Sequence, residues 1–334
     1  MKTKKVLLIG MSLLVIFVST GCLAQSRQTP TQPAPVLSET PTAGPAYTLS
    51  PGDYDFSVAA GGGTRRYLLH IPAAYDPATP TPIVLAFHGA LGSADSMAKG
   101  HGWIEKSDQA GFLVAFPNGA SRLSSGDFAT WNAGSCCGYA VQNQSDDVGY
   151  VRAILEDLQT KVNLGQVFAA GMSNGAMFSY RLACEMSDTF SAIAAVAGTD
   201  NFAQCNPAQP ISILHIHGLE DDRVLFDGGC GPGCDRATET EYVSVPDTIA
   251  EWVQRNGCET EPQTVVINEN AYSETYAPCQ DGVQVKLYVV KDGGHSWPSS
   301  KRTSNPLEQD APSSAIDATK EIWDFFSAVG VGQE

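Results

Sequence analysis

The sequence predicts an α/β domain with a mostly parallel, doubly wound sheet, and three observations support this fold class. Short, continuous apolar runs of strand length recur along the chain, and amphipathic helical patterns separate them. Runs that are apolar on both faces are typical of buried parallel strands, and alternating strands and helices imply right-handed crossovers. Hydrophobic residues make up 43% of the 334 residues and charged residues only 17%. This composition provides a large core and excludes a disordered chain.

The N-terminus predicts export of the protein. Met1–Lys5 is positively charged and Val6–Val18 is almost entirely apolar, so we expect a signal peptide over residues 1–21. The apolar stretch is shorter than the about 20 residues that a transmembrane helix needs.

The end of this signal predicts a lipid anchor. Ser19-Thr20-Gly21-Cys22 resembles a bacterial lipobox, in which the cysteine is lipidated and becomes the mature N-terminus. Ser19 departs from the leucine that is usual there, and the alternative is ordinary signal cleavage with Cys22 lost or paired. A lipid on Cys22 would tether the protein to the bacterial membrane on its extracytoplasmic side, and we expect no other membrane contact.

A linker follows the anchor. Residues 22–46 are rich in Pro, Thr, Ser and Gln and have no periodic apolar pattern, which predicts a disordered tether. Residues 47–334 contain no second linker, so we expect them to form a single catalytic domain.

The elements of this domain can be assigned in order. Tyr54–Ala59 and Arg65–Ile71 alternate as an antiparallel N-terminal hairpin. Apolar runs then predict buried strands at Pro82–Phe87, Phe112–Phe116, Val167–Ala170, Ser191–Val196 and Ile211–Ile216, with a last strand at Val283–Val290. Helical patterns cover Asp147–Val162, Ala176–Met186, Val245–Asn256 and Ala315–Val329.

Gly171-Met172-Ser173-Asn174-Gly175 fits the G-x-S-x-G nucleophile elbow. The pentapeptide alone is a weak signal, but here a predicted strand enters it and a predicted helix leaves it. Such a turn exposes the serine hydroxyl, and small flanking residues avoid collisions with neighbouring backbone. Ser173 is therefore the candidate nucleophile.

A serine hydroxyl needs a base, and the six histidines can be screened for one. His295 lies in a glycine-rich loop after the last predicted strand, where the base belongs in the chain order serine, acid, histidine. The others lie in the early hairpin, in a polar loop, within a buried strand, or at the ends of strands. We predict His295 as the general base.

The acid is expected in the loop after Ile211–Ile216, which offers Glu220, Asp221 and Asp222. Its role is to fix the imidazole tautomer and to stabilise the imidazolium. Spacing favours Asp221, with Asp222 as the alternative.

The pair His215-x-His217 also invites a metal interpretation, because alternation would point both rings to one side of the strand. No third ligand is evident, so we expect neither a metal nor another cofactor. The net charge of −16 argues against nucleic acid or anionic lipid headgroups as partners.

Two backbone N–H groups are expected to form an oxyanion hole, one after the nucleophile and one from an earlier strand-end loop. Asn174 supplies the first and Ala90, in the segment Phe87–Gly92, supplies the second.

Eight cysteines follow Cys22, and an even count in an exported protein predicts four disulfides. We expect Cys258–Cys279 as one pair. The loop cysteines Cys230 and Cys234 fit a structural staple better than a redox or zinc element.

Together these residues resemble the feruloyl esterase and polyhydroxybutyrate-depolymerase-like branch of the α/β-hydrolases, which includes exported lipoprotein esterases. The likeness covers about residues 50 to 330. Seven separated motifs carry it, in the right order: Arg66–Pro72, Phe87–Ala90, Trp131–Gly138, Asp146–Gly149, Gly171–Gly175, His217–Asp221 and Gly293–Pro298.

The resemblance implies an α/β-hydrolase fold, a Ser173–Asp221–His295 triad and activity on esters of hydroxycinnamic or related short acids. Ala176 and Leu219-Glu220 depart from the usual family residues, which puts the pocket shape in doubt but no catalytic atom. The expected partner is therefore an ester, polymer-linked or aromatic.

The same resemblance makes Trp131 and the pair Cys136/Cys137 candidates for a substrate wall. We also expect substrate contacts from His88 and from Trp297, which could instead support the histidine loop. Only 199–210 separates two predicted strands where many relatives insert a helical lid, so no large lid is expected.

Three alternatives stay open. The first is a depolymerase for polyhydroxyalkanoate or another polyester, and the second is a peptidase, because the same triad cleaves amides. The third is a catalytically dead hydrolase domain that acts as a surface-binding lipoprotein.

Overall fold

The computed structural model describes residues 47, 49–61, 63–231, 241–301, 305–308 and 310–329. The predicted signal peptide, Cys22 and the predicted tether lie outside these residues, and their assignments stay predictions. Within the described ranges, no helix has the length and apolar character needed to cross a membrane.

A ten-stranded sheet forms the centre of the domain. Its strands are β1 Gly52–Ala60, β2 Gly63–Ile71, β3 Thr81–Phe87, β4 Leu113–Pro117, β5 Leu164–Met172, β6 Phe190–Val196, β7 Ser212–Gly218, β8 Gln263–Asn268, β9 Ala271–Tyr276 and β10 Val285–Val290. The spatial order is β1-β2-β4-β3-β5-β6-β7-β10-β9-β8. The strands from β4 through β3, β5, β6 and β7 to β10 are parallel, whereas hairpins at both edges are antiparallel.

Helices cover both faces of this sheet. They are α1 Ala94–Gly100, α2 Trp103–Ala110, α3 Gly138–Gln142, α4 Asp147–Gln159, α5 Asn174–Glu185, α6 Val245–Arg255 and α7 Ala318–Val329, with a short 3-10 turn at Gln280–Gly282. Two buried apolar clusters result: α4, α5 and α6 contribute to one face, and α1, α2 and α7 contribute to the other. The predicted doubly wound α/β sheet with its N-terminal hairpin is confirmed.

The sequence analysis missed the second antiparallel hairpin, β8–β9. All six residues of β8 are exposed, and its apolar run, Val265–Ile267, is shorter than the runs by which the buried strands were predicted. The short helices α1, α2 and α3 were also not predicted.

Disulfides connect the loops between these elements. Cys258–Cys279 is present as predicted, and Cys184–Cys205 and Cys136–Cys137 are two further pairs in the described ranges. Cys230 is also disulfide-bonded. Cys184–Cys205 joins the end of α5 to the β6–β7 connection, which contains no helix in residues 197–211. The expectation that no large lid covers the carboxyl ends of these strands is confirmed for the described part of the chain.

Candidate active site

Ser173 lies at the junction of β5 and α5 in a strained backbone conformation, with φ 54° and ψ −119°. Left-handed φ values are uncommon for residues other than glycine and cluster at functional sites. The turn fits only because its flanking residues lack side chains. A Cβ on Gly171 would lie 2.2 Å from the Gly175 carbonyl oxygen, and a Cβ on Gly175 would lie 2.4 Å from the Phe87 carbonyl oxygen. The predicted nucleophile elbow is therefore present in the structure.

His295 follows β10 and connects Ser173 to Asp221. Its Nε2 lies 3.0 Å from the Ser173 Oγ, and its Nδ1 lies 2.8 Å from Oδ2 of Asp221. When the imidazole is neutral, Nδ1–H donates to the carboxylate and Nε2 accepts the serine hydroxyl. This arrangement allows His295 to remove the proton of Ser173 while Asp221 balances the positive charge that forms.

Asp221 is buried and ionised. Its Oδ1 accepts the backbone N–H groups of Arg223 and Val224, each at 2.9 Å. Burial alone would raise the pKa of Asp221, but hydrogen bonds from His217 and His295 outweigh it and hold the pKa below its ordinary value. The other candidate acids, Glu220 and Asp222, are exposed. Only Asp221 reaches the histidine.

The loop after β3 brings a backbone amide next to the nucleophile. A Cβ on Gly89 would lie 3.5 Å from the Ser173 Cβ, so the Gly89–Ala90 peptide lies beside the serine. The Gly89 carbonyl accepts His88 Nδ1–H at 2.7 Å and the Gly92 N–H at 3.1 Å. Because the C=O and N–H of a trans peptide point in opposite directions, these two bonds aim the Ala90 N–H away from the His88 ring.

The Asn174 N–H is the second expected donor. Asn174 is the first residue of α5, and the first N–H groups of a helix have no acceptor within the helix. Its side chain is buried and exchanges two hydrogen bonds with the Trp131 backbone, at 2.7 and 3.0 Å. The Trp131 segment therefore holds the start of the helix beside the nucleophile.

His88 is buried and neutral. Its Nε2 accepts the Gly119 N–H at 3.0 Å, which leaves Nδ1 to carry the proton that it donates to Gly89. Burial in apolar surroundings lowers the pKa of His88 to about 4. The ring is only 1% exposed, so its observed contacts are with the protein backbone.

Trp131 and Trp297 are also inside the protein. Trp131 is fully buried, stacks on Phe178 and donates from Nε1 to the His88 carbonyl at 2.9 Å. Trp297 is 2% exposed and donates to Thr319 at 3.0 Å. His88, Trp131 and Trp297 therefore offer no exposed surface to a substrate in this structure. Cys136 is buried as well, whereas Cys137 is partly exposed.

A segment before α7 supports both catalytic loops and was missed by the sequence analysis. Asn305 donates from Nδ2 to the Ala90 carbonyl at 3.1 Å and to Glu308 at 2.8 Å. Asp310 accepts the His295 backbone N–H at 2.6 Å. These residues belong to no recognisable motif, and only the fold brings them to the site.

The described residues contain one cluster that could hold a metal ion, Cys184, Asp200 and Cys205. Its two sulfur atoms are joined in a disulfide, and coordination requires thiolates. The rings of His215 and His217 stack 5.2 Å apart, and a hydrogen bond joins them. The ring nitrogens that face each other are therefore bonded within the protein and do not point to a metal site.

Part of the chain matches a known protein family. Residues 65–224 match the family model described as Esterase PHB depolymerase. That range contains the Ala90 loop, Ser173 and Asp221, whereas His295 lies beyond it.

Two relatives illustrate the similarity. The chain is 28% identical over 240 residues to feruloyl esterase B of Piromyces equi, which covers 70% of this chain and 42% of that protein. It is 27% identical over 274 residues to feruloyl esterase C of Emericella nidulans, which covers 79% and 84% of the two chains. The match thus spans less than half the length of the Piromyces equi protein.

Two solved structures share the fold. An acetyl xylan esterase from Aspergillus awamori superimposes with a TM-score of 0.54 at 15% identity, over 82% of this chain and 99% of that chain. A ferulic acid esterase from Anaeromyces mucronatus in complex with ferulic acid gives a TM-score of 0.50 at 14% identity, over 87% and 94%. Both likenesses concern the fold of this chain.

Proposed function

We propose that this chain, a serine esterase of the feruloyl esterase and PHB-depolymerase-like branch of the α/β-hydrolases, releases hydroxycinnamic acids from plant cell-wall polysaccharides. The observation that carries the catalytic part is the hydrogen-bonded line from Ser173 through His295 to Asp221. The substrate class comes from the relatives, two of which are feruloyl esterases by name.

The proposed reaction is a two-step acyl transfer. Ser173 Oγ attacks the ester carbonyl while His295 Nε2 takes its proton, and His295 then protonates the departing alcohol. In the second step His295 activates a water that attacks the acyl-serine, and the acid and free Ser173 are regenerated. Asp221 stays ionised and stabilises the imidazolium in both steps.

The oxyanion of each tetrahedral intermediate is proposed to bind the Ala90 and Asn174 N–H groups. Gly89 lies against Ser173, and Asn174 begins the helix directly after it, which supports this role for both amides. Donors that are fixed before the reaction stabilise developing charge without reorganisation, and one such donor is typically worth about 10²–10³ in rate.

Two exposed apolar side chains flank this loop and are the proposed contacts for an aromatic acid. Leu91 directly follows Ala90 and is 37% exposed, and Phe128 is 57% exposed. The Ala129 N–H donates to the Gly92 carbonyl at 3.1 Å, which connects their two loops. The backbone of both residues has a positive φ, 60° at Leu91 and 54° at Phe128. This conformation costs about 1–3 kcal/mol for a residue other than glycine. Their strained backbone, at exposed positions, is the ground for proposing a function for these two residues.

The helix-free β6–β7 connection and the disulfides support an extracytoplasmic, polymer-directed role. No helix covers the site from the β6–β7 connection in the described residues, so an ester on a long chain could enter. Disulfides persist in oxidising compartments, which agrees with the proposed location outside the cytoplasm. The tether to the bacterial membrane through Cys22 remains part of this proposal.

A second candidate is a polyester depolymerase, which the matched Esterase PHB depolymerase model favours. The experiment that separates the two is a panel of methyl ferulate, feruloylated oligosaccharides and hydroxybutyrate oligomers, run on residues 47–334 with and without Ser173→Ala. The proposal predicts the largest kcat/KM on the feruloyl esters and loss of all turnover in the variant. A preference for hydroxybutyrate oligomers would favour the second candidate, and no turnover by the unsubstituted protein would favour a non-catalytic domain. Turnover that survives the substitution would contradict the proposed role of Ser173.

A further inference from the structure

A second hydrogen-bonded chain, separate from the serine–histidine pair, leads from Asp221 into the core. His217 and His215 lie on β7, and Tyr180 lies on α5; all three are buried. Tyr180 Oη is 2.7 Å from His215 Nδ1, and His215 Nε2 is 3.0 Å from His217 Nδ1. His217 Nε2 is 2.7 Å from the Val224 carbonyl oxygen. The reaction uses none of these three side chains directly.

The direction of every bond in the chain follows from its last acceptor. A carbonyl oxygen can only accept, so His217 Nε2 carries the proton that Val224 receives. With this proton on Nε2, the Nδ1 of His217 accepts from His215 Nε2–H, and His215 Nδ1 accepts from the Tyr180 hydroxyl. Burial lowers the pKa of His215, with a further contribution from His217, and burial raises the pKa of Tyr180. Both groups are therefore in the neutral forms that this direction requires.

The hydrogen-bonded chain from Tyr180 ends at the carboxylate of Asp221. His217 Nε2 lies 3.4 Å from Oδ2 of Asp221, the oxygen that receives His295 Nδ1 at 2.8 Å. Val224 is hydrogen-bonded to both His217 and Asp221. Its N–H donates to Asp221, and its carbonyl accepts from His217. His217 thus contacts both the side chain of Asp221 and the turn that carries it.

We propose that His217 is a positioning residue, which holds the Asp221 carboxylate in line with His295, and that His215 and Tyr180 fix the tautomer of His217. This inference rests on the proposed esterase function, since it concerns the same triad. His217 suits the place because its Nε2–H faces two acceptors, the Val224 carbonyl and the Asp221 carboxylate.

The test compares variants of two residues in the hydrogen-bonded chain, His217 and Tyr180. His217→Leu removes the donor, and His217→Gln keeps a donor near the position of Nε2. A hydrogen bond to a charged group changes an equilibrium constant by about 10- to 100-fold. We expect His217→Leu to lower kcat on methyl ferulate by the same factor, with KM unchanged. His217→Gln should recover most of the loss. Tyr180→Phe should lower kcat less, because His217 keeps its direct contacts.

A proton NMR measurement separates positioning from packing. The His295 Nδ1 proton shared with Asp221 should give a low-field resonance in the wild-type protein, and His217→Leu should move or broaden it while the melting temperature still reports a folded protein. His70→Gln is the matched control, because His70 is a buried histidine of β2 that contacts Asp53 and Asp108 outside the site. It should leave kcat and the resonance unchanged.

Two results would overturn the inference. One is a folded His217→Leu protein with wild-type kcat and an unmoved resonance. The other, decisive if His217→Leu does not fold, is a His217→Gln protein that loses as much kcat as Ser173→Ala. Failure of the proposed function looks different, because Ser173→Ala itself would then leave turnover intact.

Discussion

His88 offers a sharp test of how the oxyanion loop is built, because its two ring nitrogens have different partners. Nδ1 donates to the Gly89 carbonyl and Nε2 accepts the Gly119 N–H. Gln at this position keeps an acceptor near Nε2 and loses the donor, whereas Asn keeps a donor near Nδ1 and loses the acceptor. The two substitutions therefore separate loop orientation from stability.

Loss of one oxyanion donor costs about 10²–10³ in kcat, which is the upper limit for His88→Gln. The Gly92 N–H still holds the Gly89 carbonyl at 3.1 Å, so we expect a decrease of about 10- to 100-fold. For His88→Asn the Gly119 N–H is left buried without its acceptor, which destabilises the fold by about 1–3 kcal/mol with a much smaller change in kcat.

Steady-state kinetics on methyl ferulate and urea unfolding measure the two effects. The expected pattern is a kcat defect with near-native stability for His88→Gln, and the reverse for His88→Asn. If His88→Gln kept wild-type kcat, the argument that the Gly89 carbonyl bond orients the Ala90 N–H would be refuted.

Three further predictions address the support of the site, its substrate contacts and its response to pH. Asn305→Ala should lower kcat several-fold with KM unchanged, measured on methyl ferulate, because the Ala90 carbonyl loses its partner. Phe128→Ser should raise KM for feruloyl esters but not for aryl acetates, and an equal effect on both would contradict the proposed aromatic contact. The unfolding free energy should fall by about 2 kcal/mol from pH 7 to pH 5 through His88. The pKa of His88, about 4 in the folded protein, lies below its unfolded value, so only the unfolded chain gains the proton in this window. The same pH titration of His88→Gln should show a smaller slope.

The sequence predicted the parallel core of the sheet and the three side chains of the proposed triad, which the structure brings together. Each of these depends on a local pattern: a continuous apolar run for a buried strand, a strand–turn–helix context for Ser173, and a glycine-rich loop for His295. Asp221 follows β7 and His295 follows β10. These strands are parallel neighbours, so both loops lie at the same edge of the sheet.

What the sequence did not provide depends on contacts between distant segments. Asn305 and Asp310 reach the Ala90 and His295 loops only because the chain before α7 folds back over them. His215 and His217 could be seen in the sequence, but the hydrogen bond between His215 and Tyr180, 35 residues earlier, could not. His88, Trp131 and Trp297 lie beside catalytic motifs in the sequence, yet their side chains turn into the core.

The central claim is that Ser173 forms a covalent acyl-enzyme, and trapping this intermediate tests it most directly. Protein that is turning over methyl ferulate is quenched in acid, digested and analysed by mass spectrometry. The account predicts a mass increase of one feruloyl group on the peptide that contains Ser173, and none in Ser173→Ala. Turnover without any acylated peptide, or a feruloyl group on a different residue, would contradict it.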